Sequence, residues 1–183
     1  MIFNSNLIGL FSGNRRASKE NRPVVRPEMG PVDWVLEAVA IIGLMVLLGY
    51  VIYQYPRLPE TIPSHFDGTG APDEYSSKSS FLFLPGIDIV IYIFLSLIVL
   101  VPHRFNFTVK ITPENALRQY AIACRLIRYL KGAVIWIFFY ISYATVRVVA
   151  KQDAGLGLWF IPVILGFVII PLIIYQVVAS RHR

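Results

Sequence analysis

The sequence predicts an all-α integral membrane protein with four transmembrane helices and a structured extracytoplasmic loop between helices 1 and 2. Of the 183 residues, 56% are hydrophobic and only 15% are charged, and the mean hydropathy is +0.60. Soluble domains usually carry about 25% charged residues, so a water-soluble globule does not fit this composition. Separate apolar segments, each near the roughly 20 residues that cross a bilayer as a helix, supply the crossings.

The predicted crossings are residues 34–55, 81–101, 132–149 and 156–179. The parts between and around them are a basic tail at 1–33, a polar loop at 56–80, a basic segment at 102–131, a short turn before the fourth crossing, and an end at 180–183. Because the crossings take up so much of the chain, no length remains for a separate catalytic domain.

The distribution of Lys and Arg predicts the topology, since positive residues near crossings stay in the cytoplasm. Thirteen of the 17 lie in the tail, in the 102–131 segment and at the end, whereas Arg57, Lys78, Arg147 and Lys151 lie on the opposite side. We therefore expect a multi-pass protein of the bacterial cytoplasmic (inner) membrane, with both termini cytoplasmic and the 56–80 loop facing outward.

The 102–131 segment contains two patterns. From Phe105 to Ile111 apolar and polar residues alternate, which predicts an extended strand along the membrane or another chain. Thr112, Pro113 and Glu114 then have the order of a helix start, with Thr112 as the N-cap. The helix that follows is amphipathic and basic, and Gly132 marks its expected entry into lipid. Its basic residues are predicted to contact anionic lipid head groups: Arg118, Arg125, Arg128 and Lys131.

The 56–80 loop is the densest polar stretch of the chain, and its prolines and glycines predict fixed turns rather than a flexible tether. Its pattern resembles a bacterial membrane domain of unknown function that also forms the amino-terminal part of SdpI-type toxin-immunity proteins. The matching residues are Leu58-Pro59, Ile62-Pro63, His65-Phe66, Gly70, Asp73 and Lys78. A weaker likeness continues through Asn106, Val109 to Thr112, Glu114-Asn115 and Arg118 to Tyr120, so that the resemblance covers about residues 55–131.

The resemblance implies a short, four-helix relative that protects a cell from a secreted factor or relays its presence. By the same resemblance, the partner-binding residues of the loop are Pro59, Pro63, His65, Phe66, Gly70, Asp73 and Lys78. We expect a departure from SdpI-type proteins, since the sequence predicts four crossings and not the additional carboxy-terminal membrane half of those proteins.

Three ionisable residues each allow two interpretations. His65 is either a pH-sensitive contact or a ring that holds its turn through Asp67 or a carbonyl. Asp88 is a functional intramembrane acid or, if Pro85 opens the second helix, a first-turn residue near the outer interface. Glu37 either reaches the cytoplasmic surface or pairs with a basic residue of a neighbouring segment.

No enzymatic, metal or cofactor site is predicted. Ser64 and His65 are adjacent and lack the further groups of a hydrolase, and the single Cys124 gives neither a disulfide nor a thiolate cluster. Asp67, Asp73 and Glu74 match no calcium-loop spacing. Without an aromatic stacking motif, the basic residues favour membrane lipids over nucleic acid.

Two functions fit these observations. In the first, the outer loop of an SdpI-like protein binds another membrane protein or a secreted peptide, with a role in immunity or signalling. In the second, the chain is an accessory structural subunit of a larger membrane complex whose neighbours hold the same loop.

Overall fold

The computed structural model describes residues 22–182. Within them lie four helices that are long and apolar enough to cross a membrane, as the hydropathy of the sequence predicts. We number them α1 (Pro31–Gln54), α2 (Phe83–Ile98), α3 (Ala116–Val149) and α4 (Phe160–Arg181); strands β1 (Thr61–Phe66) and β2 (Pro72–Ser77) lie between α1 and α2. The segment 102–131 does not end at a separate crossing, because α3 runs unbroken from Ala116 through Gly132.

Helices α1 and α3 lie side by side and run parallel. Gly43 makes this close approach possible, because a Cβ atom there would lie 2.9 Å from Nε1 of Trp136 and 3.1 Å from Ile135. The same Trp136 Nε1 donates a hydrogen bond of 3.3 Å to the carbonyl of Val39. Farther along, the Tyr50 and Phe139 rings meet edge to face with centroids 5.6 Å apart.

Helix α2 packs antiparallel against α3. The Cys124 thiol lies 3.6 Å from the Val99 carbonyl, and Nζ of Lys131 donates to Oγ of Ser96 at 2.9 Å. Residues later in α3 thus contact residues earlier in α2. This antiparallel arrangement is expected when two successive helices cross a membrane in opposite directions.

Helix α4 packs mainly against α3 and leaves an apolar groove of 720 Å³ beside α1. Tyr140, whose hydroxyl donates to the Leu156 carbonyl at 2.9 Å, lines this groove. The fourth crossing, predicted from residue 156, begins as a helix at Phe160 because Gly157 has a positive φ of 84°.

Helix α3 begins after a turn and not at the predicted cap. The Asn115 side chain closes this turn: its Oδ1 accepts from the Thr112 amide at 2.9 Å and its Nδ2 donates to the Lys110 carbonyl at 3.0 Å. Thr112 and Pro113 therefore precede the helix, and Asn115 is the N-cap.

The prediction of a strand between residues 105 and 111 is wrong, since the structure assigns no strand to these residues. The alternation still describes their exposure, because Val109 is buried while Asn106, Thr108 and Lys110 are exposed. The apolar side packs on α3 instead of joining a sheet: the Phe107 ring lies 5.4 Å from that of Tyr120.

The connections group at two ends of the bundle. At the hairpin end, the Leu156 amide donates to the Gly70 carbonyl at 2.7 Å. At the opposite end, which we call the basic end, the Tyr120 hydroxyl donates to the Pro23 carbonyl at 3.1 Å and Gln119 Nε2 to the Ala179 carbonyl at 2.9 Å. Both described chain ends thus lie opposite the hairpin.

Candidate functional site

The loop between α1 and α2 folds into an antiparallel β-hairpin. Its register pairs Thr61 with Ser77 and Phe66 with Pro72, with irregularities on either side of His65. Apolar side chains fix this hairpin to the membrane helices: Leu58, Ile62 and Phe81 are buried together with Leu47 and Val51 of α1. The hairpin is therefore a continuation of the bundle core.

The turn of the hairpin is organised by Asp67. Its Oδ1 accepts hydrogen bonds from the Thr69 amide at 2.8 Å, the Thr69 hydroxyl at 2.6 Å and the Ala71 amide at 3.0 Å. The bonds from Thr69, followed by that from Ala71, lower the pKa of the Asp67 carboxyl because they stabilise its charged form. Gly70 completes the turn with a φ of 82°, a conformation in which a side chain is strained.

His65 pairs with Asp73 across the two strands, with Nδ1 2.6 Å from Oδ1. The imidazole is 60% exposed. The hydrogen bond to Asp73 raises the pKa of His65, and the negative charge of the Asp73 carboxylate raises it further. The ring thus holds its turn, but through Asp73 and not through Asp67 or a carbonyl. A second cross-strand pair joins Lys78 Nζ to Glu60 at 2.7 Å.

The hairpin residues singled out in the sequence divide by exposure. Pro59, His65 and Asp73 are exposed, and Phe66 and Lys78 are half-buried. Pro63 and Gly70 are buried, so their contribution is to the shape of the hairpin. Tyr75, which the sequence pattern did not single out, lies on β2 with 59% of its surface exposed.

The α3–α4 connection supports the hairpin turn from the side. A Cβ atom on Gly155 would overlap the Gly70 carbonyl oxygen, and one on Gly70 would lie 3.0 Å from the Gly157 backbone. Arg147, in the last turn of α3, forms an ion pair with Asp153 of the same connection. The hydrogen bond that Arg147 donates lowers the pKa of Asp153. Glycines at these positions are what allow the two backbones to touch.

A charge cluster lies between α1 and α3 toward the basic end. Asp33 accepts from Arg125 at 3.0 Å and from Arg128 at 3.4 Å. One turn farther along α1, Glu37 accepts from Arg128 at 3.2 Å and from Lys131 at 2.6 Å. Two acids therefore bind three bases, and Lys131 is only 1% exposed.

The four basic residues predicted to contact lipid head groups thus differ in environment. Arg125, Arg128 and Lys131 have carboxylate partners within the chain, whereas the exposed Arg118 lies 2.8 Å from Nε2 of His182. Contact with lipid head groups stays a prediction. The sequence carried a signal for the pairing, since Asp33 and Glu37 are four apart on one helix and the three bases are spaced by three on another.

Asp88 is buried and lies deeper than a first-turn position. The helical backbone starts before Pro85, with a 3-10 turn at Lys78–Leu82 and then α2 from Phe83, so Asp88 lies in the second turn of α2. The exposure of its side chain is zero, and neither carboxylate oxygen has a hydrogen-bond partner among residues 22–182. In the same part of the chain, no group of three His, Cys, Asp or Glu residues is arranged to hold a metal ion.

A known protein family is similar to the region around the hairpin. Residues 40–88 match the profile of a family described as a domain of unknown function (DUF1648). This range runs from the middle of α1 through the hairpin to Asp88. An uncharacterized protein of Archaeoglobus fulgidus is 38% identical over 47 residues, which is 26% of this chain and 26% of the archaeal protein. No solved structure matches the chain.

Proposed function

We propose that this chain is a non-enzymatic, SdpI-like membrane protein that binds another membrane protein or a secreted peptide through its hairpin. The observation that carries this proposal is the ordered hairpin itself, which is anchored by Leu58, Ile62 and Phe81 and leaves Tyr75 exposed. A surface that is ordered before binding loses less conformational entropy when a partner arrives.

The chemistry of the exposed hairpin suits a peptide or protein partner. Tyrosine is enriched among residues that dominate binding energy, and β2 has no strand partner on its outer edge among residues 22–182. An extended peptide can add to such an edge through main-chain hydrogen bonds. His65 and Asp73 beside it supply a polar pair that can select the partner.

The proposed sidedness places the hairpin outside the cytoplasm of a bacterial cell. Its support is the excess of Lys and Arg among the described residues of the segments at the basic end, which are Arg22, Arg26, Arg104, Lys110, Arg118, Arg125, Arg128, Lys131 and Arg181. A secreted peptide would then reach the hairpin without crossing the membrane, whereas Arg118 and its neighbours would face the anionic inner leaflet. Immunity or signalling is the role that the resemblance to SdpI-type proteins suggests.

Site-specific photo-crosslinking tests the proposal. A photoreactive phenylalanine analogue at Tyr75 should give a discrete protein adduct in cells of the native host, and Asp73→Ala should reduce its yield at least several-fold. The matched control is Phe167 in α4, which is 52% exposed against 59% for Tyr75. Absence of a protein adduct from Tyr75, with normal expression, would contradict partner binding by the hairpin.

A structural subunit is the second candidate, and α4 favours it. In the most apolar 18-residue stretch of this helix, no residue is buried by the rest of the chain. The surface of α4 is therefore available to another protein. In that case the Phe167 analogue would also crosslink to protein, and the adduct would migrate with a stable complex in mild detergent. Lipid adducts alone from Phe167 would count against this alternative.

A further inference from the structure

Asp88 lies on α2, five residues after its first residue Phe83 and ten residues before its last residue Ile98. The contacts Val99 to Cys124 and Ser96 to Lys131 set the antiparallel register of α2 and α3. Extended along α2, this register brings Asp88 level with the region of Ile135, which packs on Gly43 at the middle of α1. Asp88 is thus inside the bundle, nearer to the hairpin end of α2 than to its basic end.

Polar side chains follow Asp88 along α2 in the direction of the basic end. Asp88, Tyr92 and Ser96 are spaced by four residues and share one face of α2. Nζ of Lys131 donates to Ser96 at 2.9 Å and lies 4.6 Å from the centre of the Tyr92 ring. The same ammonium group donates to Glu37, which begins the charge cluster.

Among residues 22–182, Asp88 is the one buried charged side chain without a partner. Asp33, Arg128 and Lys131 are all buried and all paired. An unpaired carboxylate away from water is strongly disfavoured, and such a group takes up a proton instead of remaining charged. A metal ion is a poor alternative because it requires several oxygen ligands, and Asp88 belongs to no acidic cluster among the described residues.

We propose that Asp88 is a proton-binding site inside the bundle, loaded from the basic end along the row formed by Lys131, Ser96 and Tyr92. Binding forms one O–H bond on the Asp88 carboxylate and breaks one on a hydronium ion at that end; release reverses both changes. The charged group that contacts this route is Lys131 of α3, which bonds Ser96 and lies over the Tyr92 ring. Glu37 of α1 pairs with Lys131, and Arg128 and Asp33 continue the charge cluster from there. The site is independent of any partner of the hairpin.

Infrared spectroscopy of the full chain in lipid nanodiscs tests the site directly. At pH 7 the wild-type protein should show a carboxylic acid C=O band, and Asp88→Asn should abolish it. The control Asp73→Asn, on the exposed hairpin, should leave the band unchanged. Wild-type protein labelled with ¹³C at the aspartate carboxyl carbon should show the same band shifted, which identifies an aspartic acid even if Asp88→Asn fails to fold.

The route is tested by transferring the nanodiscs to D₂O and timing the isotope shift of this band. Ser96→Ala, which removes one hydroxyl and leaves Lys131 its bond to Glu37, should slow the exchange at least several-fold, and Ser79→Ala at the hairpin end should not. A missing acid band at pH 7, or a band that the aspartate label does not shift, overturns the proton-binding site. Equal exchange rates in wild type and Ser96→Ala overturn the proposed route.

Discussion

The backbone amide of Leu156 donates a 2.7 Å hydrogen bond to the carbonyl oxygen of Gly70. This bond joins two connections that are far apart in sequence, the hairpin between α1 and α2 and the connection between α3 and α4. Because both lie at the same end of the bundle, the hairpin has two supports: the core residues beneath it and the backbone beside it.

Gly155→Ala should loosen the hairpin. The added methyl would overlap the Gly70 carbonyl oxygen, so the two backbones must separate. We expect a loss of about 1–3 kcal/mol in the free energy of unfolding and faster proteolysis within the hairpin. The control is Gly68→Ala, because a Cβ atom at Gly68 would meet nothing within 4 Å. Equal stability of the two variants in thermal unfolding would show that the contact contributes little.

The His65–Asp73 pair should make the hairpin more stable at mildly acidic than at alkaline pH. Its hydrogen bond to Asp73 raises the pKa of His65 above the usual 6.5. The pKa of His65 is therefore higher in the folded than in the unfolded protein. The pair stabilises the hairpin fully when the pH is below the unfolded-state pKa, and this stabilisation is lost as the pH rises through the folded-state pKa. An NMR titration of the His65 ring should show the raised pKa in wild type and a lower one in Asp73→Asn.

Glu74→Gln is the matched control for this titration, because the charge of Glu74 is a smaller cause of the shift than the bond to Asp73. The pKa of His65 should therefore fall much less in Glu74→Gln than in Asp73→Asn. Equal pKa values in wild type and Asp73→Asn would contradict the assigned pairing.

Lys131→Met should destabilise the bundle. It removes the hydrogen bond from a buried ammonium group to Glu37, and hydrogen bonds to charged groups are worth about 1.5–3 kcal/mol; Glu37 keeps Arg128 as its partner. The double variant Glu37→Gln, Lys131→Met should lose less than the sum of the two single variants, because both single changes weaken the same interaction. Unfolding in a mild detergent–denaturant series measures the coupling.

The exposed pair Glu60–Lys78 provides the comparison. Glu60 is 84% exposed, and surface ion pairs are worth about 0–1 kcal/mol. Lys78→Met should therefore cost far less than Lys131→Met. A similar loss for both lysines would mean that the buried charge cluster is not a main source of stability.

Cysteine labelling should establish the proposed orientation. Cys124 is the single native cysteine and is buried, so the background reaction is low. Ser77→Cys in the exposed part of β2 should react with an impermeant thiol reagent on intact cells, and Thr108→Cys at the basic end only after lysis. The reverse pattern would place the hairpin in the cytoplasm and contradict the proposal that it meets secreted peptides.

The helices and the existence of a shaped loop could be predicted from sequence because they depend on local signals. Long apolar segments near bilayer length produce helices in almost any context, and the prolines and glycines of residues 56–80 restrict the chain to turns. The exposure pattern of residues 105–111 was also predictable from their period of two. Whether that segment finds a strand partner is decided by distant residues, and here Tyr120 of α3 occupies its apolar side.

The pairing of charges could be predicted only in part. The spacing of Asp33 and Glu37 indicates a shared face, but their partners Arg125 and Lys131 belong to a helix whose position depends on the whole bundle. The sequence also leaves the position of Asp88 within its helix open. Pro85 is a typical helix start, but the apolar residues before it continue the helical backbone, which begins with the 3-10 turn at Lys78–Leu82.

Helix α3 is far longer than a membrane crossing requires. Its 34 residues extend over about 51 Å at 1.5 Å per residue, whereas the hydrocarbon layer is about 30 Å thick. With the hairpin end at one interface, the first turns of α3 extend past the hydrocarbon layer at the other and carry Arg118 to the level of the head groups. Arg118 at one face of the membrane and Arg147 at the other are therefore joined by a single unbroken helix.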